Sequence, residues 1–360
     1  MFHLTEYAVW FRHRSGLPLV LFVIASLPGI DARALRPADP QQIKQAKHYL
    51  DAGQLQQAEV LLNEIVKSDP ANFDAHRLLG LSYAQERRFP EAIGHLEKAV
   101  SLRPESPEAL KELGNVCLEG HERVKAIGAL ARSVTLEPDQ AAVQYTLGMT
   151  LLDAGDDQTA ALHLGLARTY GLKHSGVLLN LGRVYLKLHR TDEGVEVLEE
   201  LLRVSPGDWR SQLDVGKMFF DNFLYESAKP PLVRAWELNH DSYEAGFYVA
   251  LVHYLLGEQT ESLAALIELK GKAEQTLEAE NLLGAVYAKL GQTDEATAIL
   301  KKAMEESPDR PDAYFNLGLI LLERGSRKEA MELLERAGAR YQKNAKVFYI
   351  LSTQNACATA

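Results

Sequence analysis

The sequence predicts an all-α solenoid assembled from tandem 34-residue helix-turn-helix units, and three observations predict it. A leucine recurs at Leu62, Leu96, Leu130, Leu164, Leu198, Leu232, Leu266, Leu300 and Leu334, each 34 residues after the last. A small residue stands 16 positions before each: Ala46, Gly80, Gly114, Gly148, Gly182, Gly216, Ala250, Gly284 and Gly318. A second stands four before it: Ala58, Ala92, Ala126, Ala160, Gly194, Ala228, Ser262, Ala296 and Ala330. An uninterrupted interval of this length is the mark of stacked supersecondary units. Small residues at two fixed points of each unit predict two helices touching backbone to backbone, because a larger side chain would force their axes apart.

The elements follow in order within each unit. Leu79, Leu113, Leu147, Leu181, Val215, Val249, Leu283 and Leu317 precede the first small residue, and Tyr49, Tyr83, Tyr185 and Tyr287 follow it by three, so they share one helical face. Gly53, Gly155, Gly257, Gly291 and Gly325 supply the turn, and Pro70, Pro104, Pro138, Pro206 and Pro308 close the unit where a helix must stop. The frame reads 39-72, 73-106, 107-140, 141-174, 175-208, 209-242, 243-276, 277-310 and 311-344, preceded by a short linker at 35-38 and followed by a capping helix and tail at 345-360. Leu172, His240, Glu274 and Gln342 stand where four units lack the proline. Pro230 and Pro231 fall inside the second helix of unit 6, where an interior proline costs about 3 kcal/mol and predicts a bend or a late start.

This pattern resembles the tetratricopeptide repeat, written W-x2-L-G-x2-Y…A-x3-F…P, with leucine here in the place of the phenylalanine. The resemblance implies a right-handed superhelical α-solenoid with one core along its length, acting as a non-catalytic scaffold. It also implies a concave groove lined by first helices, chiefly at unit positions 2, 5, 9, 12 and 13, that binds a protein or peptide. One use of the family, capture of a chaperone's terminal carboxylate, needs a clamp that Lys111 and Asn115 begin to match. Met149, Gly176 and Asn180 break the rest of it.

Ahead of the repeats, Arg12, His13 and Arg14 precede an apolar run from Leu17 to Ile30 and then Ala32-Arg33-Ala34. A positive start, an apolar stretch and an A-x-A site read as a secretory signal over residues 1-34, since the run is shorter than the roughly 20 residues that span a bilayer. A periplasmic or secreted location is therefore expected, with an anchor left by an uncleaved signal as the alternative.

Composition narrows the chemistry. With 46% hydrophobic and 24% charged residues the chain is ordinary for one that buries a core. A net charge of -10 provides no broad basic face for nucleic acid. Two cysteines, Cys117 and Cys357, exclude a disulfide scaffold or a thiolate-rich zinc site. Cys117 takes a core-tyrosine position, and Cys357 is expected as a free thiol able to link two chains. No H-E-x-x-H, G-x-S-x-G, Walker-type or G-x-G-x-x-G string occurs, and scattered histidines such as His163 and His253 read as surface or capping residues. No catalytic residue, metal site or cofactor is expected.

The groove positions of units 1 to 4 mix charges, whereas units 5 and 6 carry Arg183, Lys187, Arg210 and Lys217 against Asp221. Residues 209 to 256 also hold ten aromatics, including Trp209, Phe220, Trp236, Phe247 and Tyr254. Planar anchors beside cations are what a peptide hot spot needs. Arg183, Lys187, Arg210, Lys217, Phe220, Phe247 and Tyr254 are therefore the expected partner-binding residues, although several of these aromatics could simply pack between helices. Other roles that fit the same face are a binder of glycans or cell-wall fragments and a non-catalytic subunit that activates a partner enzyme.

Overall fold

The computed structural model describes residues 39-270 and 277-338, and among them it contains eighteen helices and no strand. The helices come in consecutive pairs: α1 (Pro40–Asp51) with α2 (Leu55–Ser68), α3 (Phe73–Gln85) with α4 (Phe89–Leu102), and α5 (Pro107–Glu119) with α6 (Arg123–Leu136). Then come α7 (Ala141–Asp153) with α8 (Asp157–Thr169), α9 (Ser175–Lys187) with α10 (Thr191–Val204), and α11 (Trp209–Asp221) with α12 (Tyr225–Leu238). The last pairs are α13 (Tyr243–Leu255) with α14 (Gln259–Lys270), α15 (Leu277–Lys289) with α16 (Thr293–Glu306), and α17 (Pro311–Glu323) with α18 (Arg327–Gly338). The proposed signal, the tail and Cys357 lie outside the described residues, as do Glu274 and Gln342.

Local chemistry starts and stops each helix. Asn72, Ser106 and Ser242 accept the backbone N–H three residues on, satisfying donors that have no partner inside the helix. Every first helix ends on a residue with positive φ. Glycine holds that turn at Gly53, Gly155, Gly257, Gly291 and Gly325, and Arg87, His121, His189 and Phe223 hold it in the other four repeats. Repeat 4, which lacks the closing proline, ends its second helix at Gly171 with φ 96°, so that Leu172 N–H reaches the Ala167 carbonyl.

The small residues work differently from a backbone-to-backbone contact. A Cβ placed on Gly182 would lie 2.5 Å from Leu198 Cγ, and one on Gly216 would lie 2.6 Å from Leu232 Cγ. Gly80, Gly114, Gly148, Gly284 and Gly318 meet Leu96, Leu130, Leu164, Leu300 and Leu334 in the same way. In these seven repeats the periodic leucine is thus a knob seated on the bare backbone of its partner helix, and the two sequence signals 16 residues apart are the two halves of one contact. In repeat 7 the matching residues are Ala250 and Leu266, and the Ser262 hydroxyl, one turn before the leucine, donates to the Ala250 carbonyl at 2.7 Å.

One expectation is corrected. Pro230 and Pro231 neither break nor delay α12, which keeps the 14-residue span of its counterparts; burial of Ala228, Pro231, Leu232, Ala235 and Trp236 offsets the lost backbone bonds. The chain packs as two compact units, one ending at Glu137 and the other starting at Pro138.

Candidate functional site

Within the second unit, successive first helices adjoin one another, α9 with α11, α11 with α13, α13 with α15 and α15 with α17. Each second helix packs on its own first helix and on the next. The first helices therefore form a shared face, and the residues expected to bind a partner can be located on it.

Arg183 on α9 and Arg210 on α11 are exposed, with no carboxylate within ion-pair distance among the described residues. Arg183 receives its nearest polar contact from Asn180 Oδ1, to which its guanidinium donates at 3.5 Å. The Arg210 guanidinium lies 4.9 Å from the centre of the Trp209 ring. The two lysines are engaged: Lys187 pairs with Asp157 at 2.5 Å, and Lys217 pairs with Glu244 while sitting 5.4 Å from the Tyr248 ring. The hydrogen bond to Glu244 pushes the Lys217 pKa up, so that it stays charged and held. The basic patch thus reduces to two available guanidinium groups.

The aromatics divide as well. Phe247 is half-buried, with its ring parallel to Tyr243 at 6.4 Å. Phe220 is 6% exposed and Tyr254 2%, so these two of the expected partner contacts pack largely between helices. Phe220 is caught between Tyr225 and Tyr248, each with ring centres 5.3 Å away, so the density of large rings itself drives it inside. Burial raises the Tyr254 hydroxyl to about 12, which keeps it neutral. Phe219 fills the core-tyrosine position at 1% exposure, and Cys117 does the same in repeat 3, its thiol pushed up to about 11 by burial and so unreactive.

One arrangement escaped the sequence reading. His163 Nδ1 lies 2.7 Å from Gln144 Oε1, and Gln144 Nε2 donates to the Pro138 carbonyl at 2.8 Å. Repeat 2 builds the same relay from His95, His76 and the Pro70 carbonyl, at 3.0 and 3.2 Å. Burial lowers the pKa of all three histidines. The signal lay in the sequence as a polar residue with a histidine 19 positions later, repeated 68 residues apart. These groups close the joint between repeats and hold no metal-type cluster among the described residues.

Two family models, both described as tetratricopeptide repeat, match residues 83–149 and 287–352, and 43–107 and 179–237. A crystal structure of the C-terminal part of a TPR repeat-containing protein from Cytophaga hutchinsonii is 13% identical, with a TM-score of 0.54, over 67% of this chain and 99% of that one. A tetratricopeptide repeat protein from Parabacteroides merdae is 20% identical, with a TM-score of 0.46, over 68% of this chain and 97% of that one. The human protein O-mannosyl-transferase TMTC1 is 29% identical over 84 residues, 23% of this chain; the chain spans a tenth of that relative's length. The 34-residue helix pairs, their glycine-leucine knobs and models that together cover more than half of the sequence lead to one assignment: the chain belongs to the tetratricopeptide-repeat family.

Proposed function

We propose that the chain is a non-catalytic adaptor that captures an acidic peptide segment of a protein partner on the first helices of repeats 5 to 7, and that it works outside the cytoplasm after loss of residues 1-34. The observation that carries the reading is the pair Arg183 and Arg210, exposed on adjoining helices and outside any ion pair among the described residues, Arg210 beside Trp209 and feeling the Asp208 carboxylate only through space, while the neighbouring lysines are engaged. A guanidinium pairs a carboxylate in a planar, two-bonded geometry, and an indole beside it adds area at little entropic cost. The apolar run and Ala32-Arg33-Ala34 support export.

Fluorescence anisotropy with a labelled glutamate-rich peptide tests the site. Arg183→Glu with Arg210→Glu is expected to weaken binding at least tenfold without moving the melting temperature, and added salt to weaken the wild type. Lys187→Gln with Lys217→Gln is expected to change affinity less than threefold. Binding that survives the arginine reversals overturns the site, and recovery of the intact precursor in the cytoplasm overturns the location.

A further inference from the structure

At unit position 12, repeats 5, 6 and 7 bury Leu186, Phe220 and Tyr254, whereas repeat 8 carries Ala288, which is half-buried. A small hollow of about 40 Å³, open to solvent, lies there between α13, α15 and α17. Its apolar lining is Ala285, Ala288, Leu319 and Ile320. Asn316 also lines it; this residue is 5% exposed and its Nδ2 has no hydrogen-bond partner among the described residues. A buried amide donor left unpaired is costly, and an oxygen arriving in the hollow would satisfy it. The hydroxyl-bearing Tyr254 stands at the same hollow, and Lys289 and Glu323 at its mouth carry opposite charges. The wall therefore offers neutral polar groups over an apolar floor, without the net positive charge that a carboxylate requires.

We infer that this hollow takes the uncharged apolar side chain of a peptide partner together with the adjoining main-chain carbonyl oxygen, to which Asn316 Nδ2 donates. It is a second site beyond the arginine pair, and it rests on the reading that the first helices form the binding face. The two sites select different chemistry: carboxylates at Arg183 and Arg210, a neutral apolar anchor at Ala288. A partner that satisfies both would be held by an acidic segment and a separate apolar residue, and its affinity would exceed that of either segment alone.

The test is a titration of the full chain, with labelled alanine, isoleucine and leucine methyls, using N-acetyl-leucinamide as the probe and N-acetyl-leucine, its carboxylate form, beside it. Saturable shifts at Ala285, Ala288 and Ile320 are expected with the amide, and binding at least threefold weaker with the carboxylate. Ala288→Phe is expected to abolish the shifts at Ala285 and Ile320, and Asn316→Leu to weaken the amide at least threefold. Ala288→Leu serves if the phenylalanine variant loses its methyl dispersion. No saturable shift in the wild type, equal binding of the two probes, or binding unchanged by filling the hollow overturns the inference. The glutamate-rich peptide is titrated into the same samples: if it still binds when the amide does not, only the second site falls, and if the amide binds when the peptide does not, only the arginine site falls.

Discussion

Repeats 6 and 8 share a helix pair and the same knob, Gly216 under Leu232 and Gly284 under Leu300, yet at unit position 12 one buries Phe220 and the other leaves Ala288 beside an open hollow. The glycine-leucine contact fixes the backbone in both. What the first-helix face offers a partner is then decided by a position the backbone does not need. A large ring at that position is drawn into packing against Tyr225 and Tyr248, so aromatic density in the sequence marks a filled face. In repeat 8 the alanine in the same register borders a vacancy.

Breaking that comparison should produce the largest effect. Phe220→Ala makes repeat 6 resemble repeat 8 by removing a ring that is 6% exposed, and is expected to cost about 3 to 5 kcal/mol in urea unfolding, because the surrounding rings relax only partly into the space. Under conditions where the variant is folded, its affinity for the glutamate-rich peptide should stay within threefold of the wild type. A tenfold loss of affinity with little loss of stability would return Phe220 to the partner's contact surface.

The shared feature can be tested with a milder change. Gly182→Ala places a methyl 2.5 Å from Leu198 Cγ and is expected to destabilise by about 1 to 3 kcal/mol. The lower end is favoured, since repeats 1 and 7 carry Ala46 and Ala250 at this position and still bury Leu62 and Leu266. Gly128→Ala, on an exposed helix position with nothing within 4 Å of the added methyl, is the control and should stabilise by about 0.5 to 1 kcal/mol. If both substitutions have the same sign, the knob contact does not fix the helix pair.

Much of this was legible before any coordinates because the signals repeat. The leucine and glycine at a 34-residue interval identify both helices, and the closing prolines mark the joints. Site residues were less legible for a physical reason: a position's exposure depends on its neighbours' bulk as well as on its register. Arg183 and Arg210 could be assigned to the face by position alone, and the structure leaves them available. Lys187 and Lys217 stand at equally valid positions but are engaged by Asp157 and Glu244, one on the preceding second helix and one on the following first helix. Phe220 and Tyr254 have the right register and the wrong depth. The hollow at Ala288 is an absence of side chain, visible only when the registers of several repeats are compared.

The smallest expected effect compares two repeats that share a polar joint. In repeat 2, the carbonyl of Pro70 can only accept, so His76 Nε2 carries its proton toward it, and neutral His76 then receives the Nδ1–H of His95 on its bare Nδ1. In repeat 4, Gln144 takes the place of His76, and its amide oxygen can accept from His163 whether that ring is neutral or charged. Burial holds His76 and His95 below the free imidazole value of about 6.5. As pH falls through that value, the unfolded chain binds protons that the folded chain resists, so stability is full at neutral pH and above and declines toward pH 5. His76→Gln gives repeat 2 the relay of repeat 4. Melting temperatures from pH 7.5 to 5 should fall less steeply in this variant than in the wild type, with part of the decline retained because His163 is also lowered by burial. An unchanged slope would mean that the His76–His95 contact does not resist protonation, and the two joints would then differ in residue type but not in their response to acid.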